Sequence, residues 1–123
     1  MSRVMCRVAH TIAFALACMA TCTPPLAGAP RADDAAIARL RQAMAQDARY
    51  TATWPKLRCL DFIVEATTQA GRDIAVMERH GNGCAGDPAT APEVDRFRVP
   101  AGKAPVLLYD PVEDTYAPYH PAR

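Results

Sequence analysis

The chain has 123 residues, 50% of them apolar and 22% charged, with 14 basic side chains against 13 acidic ones. That is ordinary globular composition for a single domain, too short for a Rossmann, barrel or kinase architecture. A formal charge of +1 and an aromatic content of 7% exclude the broad basic footprint and stacking platforms of a nucleic-acid binder.

Residues 1–29 read as an export signal. Arg3 and Arg7 make a positive start, Thr11 to Ala20 an apolar stretch, and Ala27-Gly28-Ala29 a small-residue end. A membrane-spanning helix needs about twenty apolar residues, and Pro24-Pro25 interrupts this one. Cleavage is placed between Ala20 and Ala32, since Pro30 directly after Ala29 disfavours that bond. Neither Cys18 nor Cys22 has leucine at the spacing a lipid-anchored precursor requires, so both read as ordinary signal residues. The remaining residues, 30–123, are expected to form one small secreted domain, periplasmic or fully exported, with no membrane span after signal removal.

Cys6, Cys18 and Cys22 fall in the signal, which leaves Cys59 and Cys84 for an oxidising compartment. One disulfide between them is the simplest reading. It closes a loop of about 25 residues, a constraint of roughly 3–4 kcal/mol in the chain-entropy picture. A metal-binding or reactive thiol pair is disfavoured because no C-x-x-C spacing exists.

Asp33 to Arg49 carries the signals of a helix. Asp33 or Asp34 is placed to cap it, and Ile37, Leu40, Met44 and Ala48 form one apolar stripe. Trp54-Pro55 ends the segment. Strands follow. Leu57 to Thr67 alternates, with Leu60, Phe62, Val64 and Ala66 on one face and Cys59, Asp61, Ile63 and Glu65 on the other. A turn at Gln69-Ala70-Gly71-Arg72 leads into Asp73 to His80. Val94 to Val99 alternates with Arg96 and Arg98 outward, Val106 to Tyr109 makes a fourth strand, and Thr115-Tyr116 a short edge. The expected fold is α+β: one N-terminal helix packed on a four- to five-stranded antiparallel meander.

The long connection from His80 to Glu93 is the first candidate for function. Pinned by Cys84 to Cys59, it would fold back over the face carrying Asp61 and Ile63. It is then either a rigid recognition loop or an irregular connection that needed a staple. His80 and Asp87 are its candidate binding residues, although Asp87-Pro88 also reads as a turn whose carboxylate accepts local N–H groups. Arg96 and Arg98 project side by side. They either form ion pairs with Asp61, Glu65 or Glu78 on neighbouring strands or make a binding face for a partner's carboxylates. No nucleophile elbow or activated cysteine is present, so no catalytic residue is assigned and the chain reads as a non-enzyme. His80 and His120 are far apart, and Asp110, Glu113 and Asp114 depart from calcium-loop spacing, so no metal or cofactor is expected.

The run from Cys84 to Val99, followed by Leu108-Tyr109-Asp110, resembles a group of small exported bacterial proteins. Their pattern is C-G-G-D-P-x-T-x-P-x-V-D-R-F-R-V with a tyrosine–aspartate turn beyond it. The likeness covers the second half of the chain and departs from the pattern at Ala85, where a glycine is usual. It implies export and a helix-plus-sheet domain, with no activity to carry over. The expected role is a binding or inhibitor-type protein that contacts an envelope or secreted protein through the anchored loop and sheet face. The alternative is an accessory domain holding a small ligand or peptidoglycan fragment in a pocket lined by Trp54, Tyr50 and inward strand residues.

Overall fold

The structure is a computed structural model that describes residues 31–123; the signal expected over residues 1–29 lies outside them. The chain runs through helices α1 (Ala32–Met44) and α2 (Ala48–Thr51) and a 3-10 turn at Pro55–Leu57. Five strands follow: β1 (Leu60–Thr68), β2 (Gly71–Glu78), β3 (Glu93–Val99), β4 (Leu107–Asp110) and β5 (Thr115–Pro118). They form one antiparallel sheet in chain order, so the fold is α+β with one main helix. No described helix is long and apolar enough to cross a membrane.

Period-two patterning gives the sheet two unlike faces. Val64 pairs with Ile74, Ile74 with Phe97, and Phe97 with Leu108, which puts an apolar ladder on one side. Ile74, Val76, Phe97 and Val99 are buried in one cluster with Ala36, Leu40 and Met44 of α1. Tyr50, Phe97 and Tyr119 meet edge to face at its centre, with ring centroids 5.1–6.5 Å apart. The other side of the sheet carries Asp73, Arg96, Arg98, Tyr109 and Tyr116.

The helix expected over Asp33 to Arg49 is two helices, and the break has a physical cause. Asp47 is fully buried. A carboxylate without partners in an apolar core is prohibitive, so the chain leaves helical geometry there and Asp47 becomes the cap of α2. Its side chain accepts the Arg49 backbone N–H at 2.9 Å, the Arg49 guanidinium at 2.7 Å and the Tyr119 hydroxyl at 2.6 Å. The backbone before the break tightens into i to i+3 bonds, Gln46 to Ala43 and Asp47 to Met44. Asp33 and Asp34 do not cap α1: Arg31 holds that position with no side-chain bond, and Asp33 pairs instead with Arg72 at 2.6 Å.

Three further expectations are corrected. Leu57 belongs to the 3-10 turn, so β1 starts only at Leu60. A bulge between Val64 and Ala66 pairs Ala66 with Asp73, which takes Ala66 off the apolar face. The segment 79–92 is not structureless: Gly81 and Cys84 form a small antiparallel bridge. The Cys59–Cys84 disulfide is present, with Cα atoms 5.6 Å apart, within the usual span of such a bond.

The Arg49 hydrogen bond, supported by Tyr119 and opposed by burial, holds the Asp47 carboxyl well below its ordinary value of 3.8. A lowered native value stabilises the fold above the ordinary pKa, and that contribution fades as pH falls below it. Replacing Asp47 by Asn is expected to cost about 2–3 kcal/mol at pH 7, a melting temperature drop on the order of 10 °C. Thermal unfolding followed by circular dichroism should show the gap between the two proteins narrowing from pH 7 to pH 3. A gap that stays constant would show that the carboxylate's charge is not what stabilises the fold.

Candidate functional site

The loop after β2 is organised around one side chain. His80 lies largely inside it, with Nδ1 3.0 Å from the Asp87 carbonyl and 2.9 Å from Thr90 Oγ1. A carbonyl can only accept, and the Thr90 hydroxyl donates its own proton to that same carbonyl at 2.9 Å. Nδ1 is therefore the protonated nitrogen. Nε2 faces Glu78 Oε1 at 3.5 Å.

Gly86 makes this arrangement possible. Its φ is +109°, a region that disfavours any side chain, and a Cβ there would lie 2.5 Å from the His80 ring. Asp87 then turns the chain, its carboxylate accepting Ala89 N–H at 2.9 Å. Ala85, where the resemblance leads one to expect glycine, is exposed and not in the left-handed region, so the shape tolerates a methyl group at that position.

Beside the loop, where β1 begins and β2 ends, lies a cleft of about 410 Å³. Trp54, Arg58 and Cys59 line one side, and Glu78, Gly83 and Ala85 the other. Lys56, Leu57 and Cys59 reach it with φ of 55°, 53° and 63°. Such angles cost about 1–3 kcal/mol each unless the surroundings enforce them. Here buried Leu57, the Leu57 N–H bond to the Trp54 carbonyl at 2.8 Å and the disulfide do so. Tyr50, expected in such a pocket, is buried in the core instead and donates to Asp95 at 2.6 Å.

Arg96 and Arg98 stand side by side on the other face of β3, and both are engaged within the chain. Arg98 grips Asp73 through two bonds of 2.6 and 2.8 Å, with the Tyr116 ring 4.1 Å beneath its guanidinium. Arg96 reaches Glu93 at 2.9 Å and Glu65 at 3.2 Å, over the Tyr109 ring. These hydrogen bonds to carboxylates raise both arginines further above their ordinary values. Ile63, which the loop was expected to cover, is 49% exposed.

The structure thus brings His80 and Asp87 together and Arg96 and Arg98 together. Among the described residues, no hydrogen bond or ion pair joins the two pairs. Sequence reasoning named Trp54 but missed Arg58 as a site residue and placed Glu78 among the partners of the arginines. The signal was there: a Cys59–Cys84 bond necessarily sets Arg58 beside residues 83–85. In comparisons with known proteins, no family, no curated protein and no solved structure matches this chain.

Gly86→Ala is expected to cost about 2 kcal/mol or more, from the positive φ and the collision with His80. Adding His80→Ala removes the collision but not the φ cost, so the second Gly86→Ala step should be cheaper by about 1 kcal/mol. Urea unfolding of the four proteins in the cycle measures this. Additive losses would mean that the glycine is not there to make room for the ring.

Proposed function

We propose that the chain is an exported bacterial protein, periplasmic or secreted, of the binding or inhibitor type. In this reading residues 1–29 are removed, α1 lies across the apolar face of the sheet, and the second half belongs with the proteins sharing the Cys84-to-Val99 pattern. The working surface is the loop 79–92 with the adjoining sheet face, and the partner is another envelope or secreted protein.

The observation that carries the reading is that the loop is tied down within the chain itself. Its middle is tied to Cys59 through sulfur and its far half is wrapped on His80. A loop already ordered loses little conformational entropy on docking, so more of its contact energy appears as affinity. His80 and Asp87 act here by shaping the loop, while exposed residues such as Ala85 and Ala89 make the contact. The arginines lend the sheet face a fixed polar pattern, since their pairs with Asp73, Glu65 and Glu93 hold them in place.

Affinity capture from envelope extract tests this with three proteins: the native sequence, Ala85→Lys/Ala89→Lys, and Arg96→Ala/Arg98→Ala. The loop variant changes only exposed positions and should melt like the native protein. It is expected to lose the native protein's partner, at least tenfold by titration, the effect of a misplaced charge in a contact. Equal recovery by all three proteins would remove both the loop and the sheet face as the contact.

A further inference from the structure

The cleft beside the loop combines an arginine, a carboxylate and a tryptophan in one small hollow. Among the described residues, Arg39, Arg49, Arg72, Arg79, Arg96 and Arg98 all meet carboxylates or carbonyls, and Arg41 lies over Phe62. Arg58, at the cleft wall, has no such partner; nor do Arg31 and Arg123, of which Arg123 lines another hollow with Gln46 and Pro121 and no aromatic side chain. A second hollow of about 250 Å³, between the start of α1 and Pro100–Gly102, lacks this feature. Its two arginines are already spent, Arg39 on the Pro100, Gly102 and Ala104 carbonyls and Arg72 on Asp33.

Three requirements follow for an occupant of the larger cleft. Glu78 has the His80 ring against one oxygen, whereas Arg58 has no counter-charge, so the group most strongly called for is an anion. Glu78 and Thr53 also line the cleft, and a carboxylate covered by a ligand without hydrogen-bond donors is left unpaired at high cost. Trp54 is half-buried against the core and lines the cleft, an aromatic side chain against which a ring can pack. A simple aromatic acid such as benzoate meets the first and third requirements but supplies no donors. A simple anion meets only the first.

We propose that this cleft is a binding site for an acidic saccharide. The sugar ring lies against the Trp54 indole, its carboxylate pairs with Arg58, and its hydroxyls donate to Glu78 and exchange hydrogen bonds with Thr53. The volume, about 410 Å³, lies within the range of small-ligand sites. The strained backbone at Lys56, Leu57 and Cys59 sets Trp54 and Arg58 on the same wall, and the disulfide keeps that wall facing Gly83 and Ala85. The cleft shares Ala85 with the loop surface, but Trp54, Arg58 and Glu78 take no part in the proposed partner contact, so the Arg58→Met protein separates the two proposals.

Trp54 is the only tryptophan in the chain, so its fluorescence reports the cleft directly. The purified protein is titrated with N-acetylmuramic acid and D-glucuronic acid as acidic sugars. N-acetylglucosamine serves as a ring without a carboxylate and lactate as a carboxylate without a ring. A saturable change is expected with at least one acidic sugar, and binding about tenfold or more weaker for both controls. Arg58→Met, an exposed change with no native pair to break, should weaken the acidic sugar by a similar factor and leave the melting temperature unchanged. Glu78→Gln should weaken binding while preserving the preference for the carboxylate. No saturable change with either acidic sugar, equal affinity for lactate or N-acetylglucosamine, or an Arg58→Met protein that binds normally would each overturn the assignment.

Discussion

The bond between Cys59 and Cys84 joins the first residue before β1 to the middle of the longest irregular segment, and the upper end of the molecule is arranged around it. Without it, residues 79–92 would be tied down chiefly by hydrogen bonds of their own and by the Arg79 N–H to Cys59 carbonyl bond of 2.8 Å. With it, the left-handed backbone at Lys56, Leu57 and Cys59 is held in place, because Cys59 is fixed from outside its own segment. The same link therefore orders the loop and shapes one wall of the cleft. A disulfide of this loop length contributes a few kcal/mol, which is a large fraction of the stability of a small domain.

The lower end depends on a different device. Asp47 is a buried charge, which is tolerated only with full satisfaction. Arg49 and Tyr119 provide it, and burial with the Asp47 bond pushes the Tyr119 hydroxyl well above its ordinary range. Tyr50 does the equivalent for Asp95. Two tyrosines thus carry polar tips into carboxylates while their rings pack on Phe97, joining the helical segment and the sheet with both apolar and directional contacts.

Much of this was legible in the residues and some was not, for reasons that can be named. The alternation in Ile74–Val76, Phe97–Val99 and Leu60–Val64 placed the strands and their buried face, because period-two patterning is a local property. The cysteine pair was legible by counting. Asp47 was not: inside Gln42-Ala43-Met44-Ala45-Gln46 the local signals favour continued helix, and its partner Tyr119 lies 72 residues away. The bulge at Val64–Ala66 has no marker in residue type. The arginines on β3 were seen to point outward, but whether they faced carboxylates of the same chain or of a partner depended on register, which placed Arg98 directly opposite Asp73. The cysteine pairing was enough to set Arg58 near residues 83–85, but the positive φ values of Lys56 and Leu57, which no propensity favours, were not legible.

Tyr119 and its neighbours also impose an order of events. Every strand pairs only with the next one along the chain, so the sheet can zip from hairpin to hairpin with short loop closures. The helical segment is different: Asp47 waits for the Tyr119 hydroxyl, and the Ala48 N–H waits for the Ala122 carbonyl at 2.8 Å. A polypeptide emerging from the ribosome tunnel cannot close this clasp until residues 119–122 have emerged. Until then the contacts that join the helical segment to the end of the chain are unmade.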